Sequence, residues 1–430
     1  MNATRRIMFA IGALAAVVAA IAGAGAFPAP ARADFLVPMD LAQTNHLKAY
    51  GFAYYVLAGG QDVKWLLNYR GGSFLIPEKP GYATEAQARN VRLERVDGAQ
   101  VASILQEIDG SNADVVLLEK APAIAVYAPP NKLPWDDAVM LALDYSGIPY
   151  AIVYDREVLA GELEKYDWLH LHHEDFTGQY GKFYAGFRTV DWYIRDQILN
   201  EKLAAALGFK KVSDEKKAVA RAIGEFVRAG GFVFAMCSAT DSYDIALAAE
   251  GIDIAPREYD HDGTTPNCQK LLDFDRTFAF ENFELKLDPL VYEFSDIDMT
   301  GSAAARGEPR DYFTLFEFSA KYDPVPTMLV QNHVSVIKGF MGQTTSFKKS
   351  LIKKKVLILG EVRAGGEARY IHGNFGLGTF TFLGGHDPED YQHLVGDPPT
   401  DLGLYPNSPG YRLILNNILF PAAKKKEQKT

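Results

Sequence analysis

The chain has 430 residues, 44 Lys plus Arg against 54 Asp plus Glu, a net charge of −10, and only two cysteines, Cys237 and Cys268. That length suits one large domain or two. The acidic balance, with short basic runs such as Lys348-Lys349, Lys353–Lys355 and Lys424–Lys426, excludes a nucleic-acid-binding surface; two cysteines exclude a disulfide-stapled scaffold and leave one bridge or two free thiols.

The N-terminus reads as an export signal. Arg5 and Arg6 precede an uncharged run, Ile7–Ala31, rich in Ala, Val, Ile and Gly and broken by Pro28 and Pro30. Ala31-Arg32-Ala33 is a small-x-small cleavage site, so the mature chain is expected to begin at Asp34. Thr4–Phe9 resembles a twin-arginine signal. Removing residues 1–33 takes away three arginines and no acid, moving the net charge from −10 to −13. No later stretch is apolar enough to span a bilayer. The expectation is an exported protein, periplasmic or secreted, with no stable membrane span after cleavage.

Along the rest of the chain, short apolar runs alternate with amphipathic stretches, the pattern of a mostly parallel sheet flanked by helices. Phe35–Met39 reads as a strand, Leu41–Leu57 as a helix, and Val63–Leu67 as a strand before the turn 68–72. Ala99–Ile108 reads as a helix and Asp114–Leu118 as a strand. Ile124–Tyr127 is a strand, Trp135–Tyr145 a helix, and Tyr150–Tyr154 and Asp167–Leu171 are strands. Helices are expected at 188–207 and 213–229, then a buried strand, Gly231–Met236, and a helix, Asp241–Glu250. From 256 to 325 the periodicity weakens, and acids, aromatics and prolines mix, as in an inserted cap. Strands resume at Thr327–Val330 and Lys355–Gly360. Arg369–His372 and Thr379–Leu383 form a hairpin, and Tyr411–Leu419 is a last helix ended by Pro421. The expected division is an N-terminal α/β part (34–120), a core (121–420) with the insertion, and a basic tail (421–430).

Three segments carry chemistry. Gly230–Asp241 is an apolar strand running into Cys237, with small neighbours and a helix behind it. A nucleophile on such an elbow stands clear of the backbone, and helix N-terminal N–H groups can hold an oxyanion. Phe380–Asp390 ends a strand in Gly384-Gly385 and presents His386 with Asp387 and Glu389 just after. A histidine there can deprotonate a thiol while a carboxylate orients it. In Trp168–Asp175, His170 and His172 share one strand face. His172, His173, Glu174 and Asp175 lie at the strand's end and line a pocket. Histidines with carboxylates also form a zinc-type set. Because the spacing matches no metal motif, no metal is assigned, His172, His173 and Glu174 being the residues one would use.

Together the elbow and the late histidine resemble the class I glutamine amidotransferase-like superfamily over residues 121–420. That family carries Gly-x-Cys-x-Gly-x-Gln at the elbow and His-x-Glu after a late strand. Here both glycines are alanines (Ala235, Ala239), the glutamine is Asp241, and the glutamate, Glu389, lies three residues after His386. The chain is also similar to a family of exported proteins often labelled asparagine synthetase B. That likeness rests on Asn45–Gly51, Leu66–Phe74, His172–Thr177 and Gly384–Tyr391. The resemblance implies a flavodoxin-like α/β core. It also implies Cys237 as nucleophile, His386 as base, Glu389 or Asp387 as orienter, and Ser238 and Asp241 beside the substrate. ATP-dependent amide synthesis needs a Ser-Gly-Gly-x-Asp-Ser loop, whose glycines let the backbone approach phosphate. Cys237–Ser242 keeps only its Asp and Ser.

The expected function is therefore an exported amide or ester hydrolase with no cofactor, acting on a small molecule, peptide or sugar. The alternatives are a non-catalytic binding protein on the same fold, a metal-dependent hydrolase, and the amide transfer of the family label.

Overall fold

The computed structural model describes residues 33–130, 136–317, 319–323, 332–363 and 365–423. The expected signal segment up to residue 32, Trp135 at the expected start of one helix, the expected strand at 327–330 and the tail from 424 lie outside the described residues.

In chain order the first elements are β1 (Asp34–Val37), α1 (His46–Ala58), β2 (Val63–Leu67), β3 (Ser73–Pro77), β4 (Glu94–Val96), α2 (Gly98–Gly110) and β5 (Asp114–Leu118). The five strands form one sheet in the order β4-β1-β3-β2-β5, with antiparallel neighbours throughout. β3 escapes the periodicity reading because it follows directly on the turn at 68–72, and β4 because it has only three residues. α1 starts at His46 rather than Leu41 because Asn45 caps it, its side chain accepting the Lys48 N–H at 2.9 Å.

The larger sheet begins with β6 (Ile124–Tyr127), α3 (Ala138–Ser146), β7 (Ala151–Val153) and β8 (Trp168–Leu171). It continues with α4 (Asp191–Ala206), α5 (Val212–Arg228), β9 (Phe232–Met236), α6 (Ala239–Ala248) and β10 (Tyr312–Leu315). β11 (Val336–Lys338), β12 (Phe347–Lys348), β13 (Leu357–Val362), β14 (Glu367–Phe375), β15 (Gly378–Leu383) and α7 (Pro409–Leu419) complete it. Its order is β11-β10-β13-β14-β15-β9-β8-β6-β7, with β12 against β14.

The fold is α/β, but the mostly parallel sheet expected from the sequence is corrected to a mixed one. Parallel pairing is confined to β7, β6, β8, β9 and β15. β14 returns antiparallel to β15 through the hairpin at 375–378, and β13, β10 and β11 follow antiparallel. A tight hairpin can only join antiparallel neighbours, so the parallel stretch ends there.

Both faces of the parallel strands are covered, as unbroken apolar runs require. Ile124, Val126, Trp168, Phe234 and Met236 point to a core shared with α1, α3, α7 and the smaller sheet. Ala125, Tyr127, Leu169, Leu171, Val233 and Ala235 point to the opposite core, with α5, α6 and residues 278–297 of the insertion. His170 follows the two-residue period onto the first face, beside Trp168 and Phe234.

Candidate active site

Four parallel strands, β6, β8, β9 and β15, end at one edge of the sheet, and the residues just beyond them make the site. This is where open α/β sheets place ligands. In register, Leu171 lies beside Ala235 and Leu383 beside Met236, which brings His172, Cys237 and the Gly384-Gly385-His386 turn together.

Cys237 holds a left-handed backbone, φ +49°. A non-glycine residue there is uncommon and costs of order 1 kcal/mol or more. The neighbours fix it: its N–H donates to the Gly385 carbonyl (3.1 Å), and its own carbonyl accepts from the Thr240 hydroxyl (2.6 Å). Gly385 has φ +101°, and a Cβ there would lie 2.4 Å from the Phe340 ring, so only glycine fits. The segment 340–346 passes behind the sulfur. The Gln343 N–H donates to Sγ at 3.2 Å, with the Ser238 and Thr344 N–H groups also turned to it. Burial nevertheless outweighs these donors and pushes the thiol up to about 11. Cys237 at rest is thus a protonated thiol that needs a base. Both cysteines are free, and Cys268 belongs to the core under α6.

His386 shares a cavity of about 350 Å³ with Cys237, His173, Tyr292, Gln343 and His393. Its Nδ1 lies 2.9 Å from His172 Nε2, and its Nε2 is buried with no hydrogen-bond partner among the described residues. His172 Nδ1 lies 3.2 Å from His170 Nε2, and His170 Nδ1 lies 3.0 Å from the Phe234 carbonyl. A carbonyl only accepts, so His170 Nδ1 carries a proton. If the rings are neutral, each Nδ1 along the chain donates to the next Nε2, and His386 Nε2 is left with a lone pair. Burial above all holds His172 and His386 well below the usual imidazole range, which keeps them neutral. Asp137 stands beside the chain, its Oδ1 3.3 Å from His170 and 3.5 Å from His172. The same oxygen caps α3 by accepting the Val139 and Met140 N–H groups.

His393 lies over His386, the rings nearly parallel with centroids 4.9 Å apart. Its two nitrogens each meet a carboxylate at 2.9 Å, Asp136 and Asp390. The Asp136 bond and then, against burial, the charges of Asp136 and Asp390 raise it to about 9. A second imidazolium on His386 would repel it by ~3 kcal/mol, at about 5 Å and an effective dielectric of about 20.

The orienter expected from the sequence is corrected here: the ring contact of His386 is His172, not Asp387 or Glu389. Asp387 accepts the Glu389 N–H and the Thr400 hydroxyl, and Glu389 pairs with Ser408. The Gly-Gly-His turn aims the following residues away from the ring. Ser238 and Asp241 sit fully buried behind the cavity rather than in its lining. Asp241 accepts the Thr344 hydroxyl (2.9 Å) and so braces the segment that contacts Sγ. Asp175 gathers the N–H groups of Thr177, Gln179 and Gly181 and shapes its own loop.

Glu174 accepts the His172 N–H and is pushed by burial up to about 8. With His173 it also lines a smaller cavity of about 60 Å³ beside Tyr154, Trp192 and Lys216. Ring nitrogens of His172, His173 and His386 approach within 4.8 Å. The facing nitrogens of His172 and His386 are engaged with each other, so a metal on this trio would have to displace that hydrogen bond.

The sequence reading missed Asp136, Asp137, His393 and Gln343 as site residues. A carboxylate pair soon after the β6 apolar run and just before a helix was the available signal for Asp136 and Asp137.

No protein-family model and no curated protein matches the chain. Solved structures are similar only distantly. Two cytoplasmic proteins of Salmonella typhimurium are 9% and 10% identical, cover 71% and 70% of this chain and 100% and 99% of their own, with TM-scores of 0.34 and 0.35. A β-galactosidase from Bacillus circulans is 10% identical over 63% of this chain and 29% of its own, with a TM-score of 0.26.

Proposed function

We propose that the chain is an exported hydrolase of an amide or ester, with Cys237 as nucleophile and His386 as general base, on a flavodoxin-like core of the amidotransferase type. The observation that carries the reading is the shared cavity: a thiol on a strained strand-to-helix elbow and a buried imidazole with an open Nε2. In chain order the parallel strands run 2-1-3-4-5 across the sheet, the flavodoxin-like order, which supports the core assignment. Export is supported by β1, which begins at Asp34, so cleavage after Ala33 leaves that strand whole.

In the reaction, His386 Nε2 takes the thiol proton as Sγ attacks the carbonyl carbon. The N–H of Gln343, with those of Thr344 and Ser238, steadies the negative charge on Sγ as the thiol proton leaves. The imidazolium proton then goes to the departing amine or alcohol, leaving a thioester. Water, deprotonated by the same nitrogen, releases the acid and restores the thiol. The raised thiol pKa makes this base-assisted route necessary.

A panel of p-nitrophenyl esters and anilides tests the reading. Cys237→Ala should bring hydrolysis to background while the circular dichroism spectrum is unchanged. Undiminished hydrolysis by a folded Cys237→Ala protein would sink it.

A further inference from the structure

We propose that His172 and His170 form a proton relay that carries the charge taken up by His386 to Asp137, so that three histidines and a helix-capping aspartate replace the carboxylate orienter. The proposal rests on the nucleophile reading above for its purpose, and on the hydrogen-bond chain for its direction.

The chain has two consistent proton arrangements. In the first, all rings are neutral and every Nδ1 is protonated, from His386 through His172 to His170, whose Nδ1–H is fixed by the Phe234 carbonyl. His386 Nε2 is then the free base. In the second, one proton has entered at His386 Nε2. The His386 Nδ1 proton has moved to His172 Nε2, and the His172 Nδ1 proton to His170 Nε2. One proton enters, none leaves, and the positive charge comes to rest on His170, 3.3 Å from Asp137. Returning the proton to a leaving group reverses each step.

The surroundings favour moving the charge. His386 is faced by Cys237 beyond β9, by His172 and His173 beyond β8, by Asp136 and Asp137 before α3, and by His393 with Asp390 on its own loop. His393 stacks on His386 and, with a carboxylate at each nitrogen, is itself a cation. A charge kept on His386 would meet it ring to ring; a charge on His170 meets an aspartate. At rest Asp137 needs no imidazolium partner, because the Val139 and Met140 N–H groups at the start of α3 hold its charge.

The test uses the whole mature protein. With ¹⁵N-labelled histidine at pH 7.5, His170, His172 and His386 should all show the Nδ1–H tautomer. A proton on His386 Nε2 at rest, or an equivalent of transition metal copurifying on these rings, would overturn the relay. Asp137→Asn keeps the helix cap and removes the counter-charge. It should slow iodoacetamide modification of Cys237 at pH 7.5 at least tenfold and shift the pH profile upward without changing the melting temperature. A native rate and profile in a folded Asp137→Asn protein would also overturn it. If the native thiol proves inert, the nucleophile reading fails and the tautomers alone decide the relay.

Discussion

At the scale of single residues, the site depends on close approach. A Cβ on Gly342 would lie 2.8 Å from the backbone nitrogen of His386 and 3.1 Å from Cys237 Sγ. Gly342→Ala should therefore cost about 1–3 kcal/mol, the range for overpacking, and should displace thiol and base together. A urea titration and the alkylation rate check both effects. His393 makes a pH prediction. Its folded value, about 9, lies above the ordinary imidazole value of about 6.5. Its clasp with Asp136 and Asp390 therefore stabilises the fold fully below about pH 6.5 and is lost as pH rises through about 9. Native protein should exceed His393→Asn in stability at pH 6 and converge with it at pH 10; an equal gap at both would contradict the assignment. Cys237 and His386 could be found from the sequence because each follows an apolar strand with small residues around it. The partners of His386 could not, because which ring nitrogen meets which neighbour depends on the registers of β8 and β15 against β9.

At the scale of elements, the segment 340–346 is held from below. Arg369 in β14 is fully buried, pairs with Asp311 at 2.6 Å and donates to the Phe340 carbonyl at 2.9 Å. Arg306 joins Asp311 to Glu367. Removing one partner leaves a buried charge uncompensated, so Arg369→Met should cost about 3–5 kcal/mol. Chemical denaturation measures this, and a loss under 1 kcal/mol would show that the segment is held otherwise. The strands at 63–67, 114–118 and 124–127 were legible to the residue, because apolar runs flanked by turn residues leave few other conformations. β3, β4 and the antiparallel half of the larger sheet were not. Short strands carry little periodicity, and pairing direction is set by connections rather than by the strand's own residues.

At the scale of the whole molecule, the 256–325 segment, expected to be an inserted cap, supplies Tyr292 and Thr300 to the cavity wall and β10 to the sheet. The expectation of a cap rests on lost periodicity alone; the tie into the sheet was hidden because β10 is not an unbroken apolar run but alternates outward Tyr312 and Thr314 with buried Phe313 and Leu315. Among the described residues no helix is long and apolar enough to cross a membrane. Expressed with its own N-terminus in a bacterial host, the protein should be recovered from the periplasm with Asp34 as its first residue. N-terminal sequencing checks this, and an intact Met1 in that fraction would contradict cleavage.

The central claim is that a buried, protonated thiol is made nucleophilic by His386. The most direct measurement is iodoacetamide modification of Cys237 in the native protein from pH 5 to 11, read by peptide mass, beside His386→Asn. The account predicts modification of the native protein at neutral pH, and its loss in His386→Asn until the pH approaches that of the unassisted thiol. Native Cys237 that reacts only near pH 11, or only after denaturation, would contradict it.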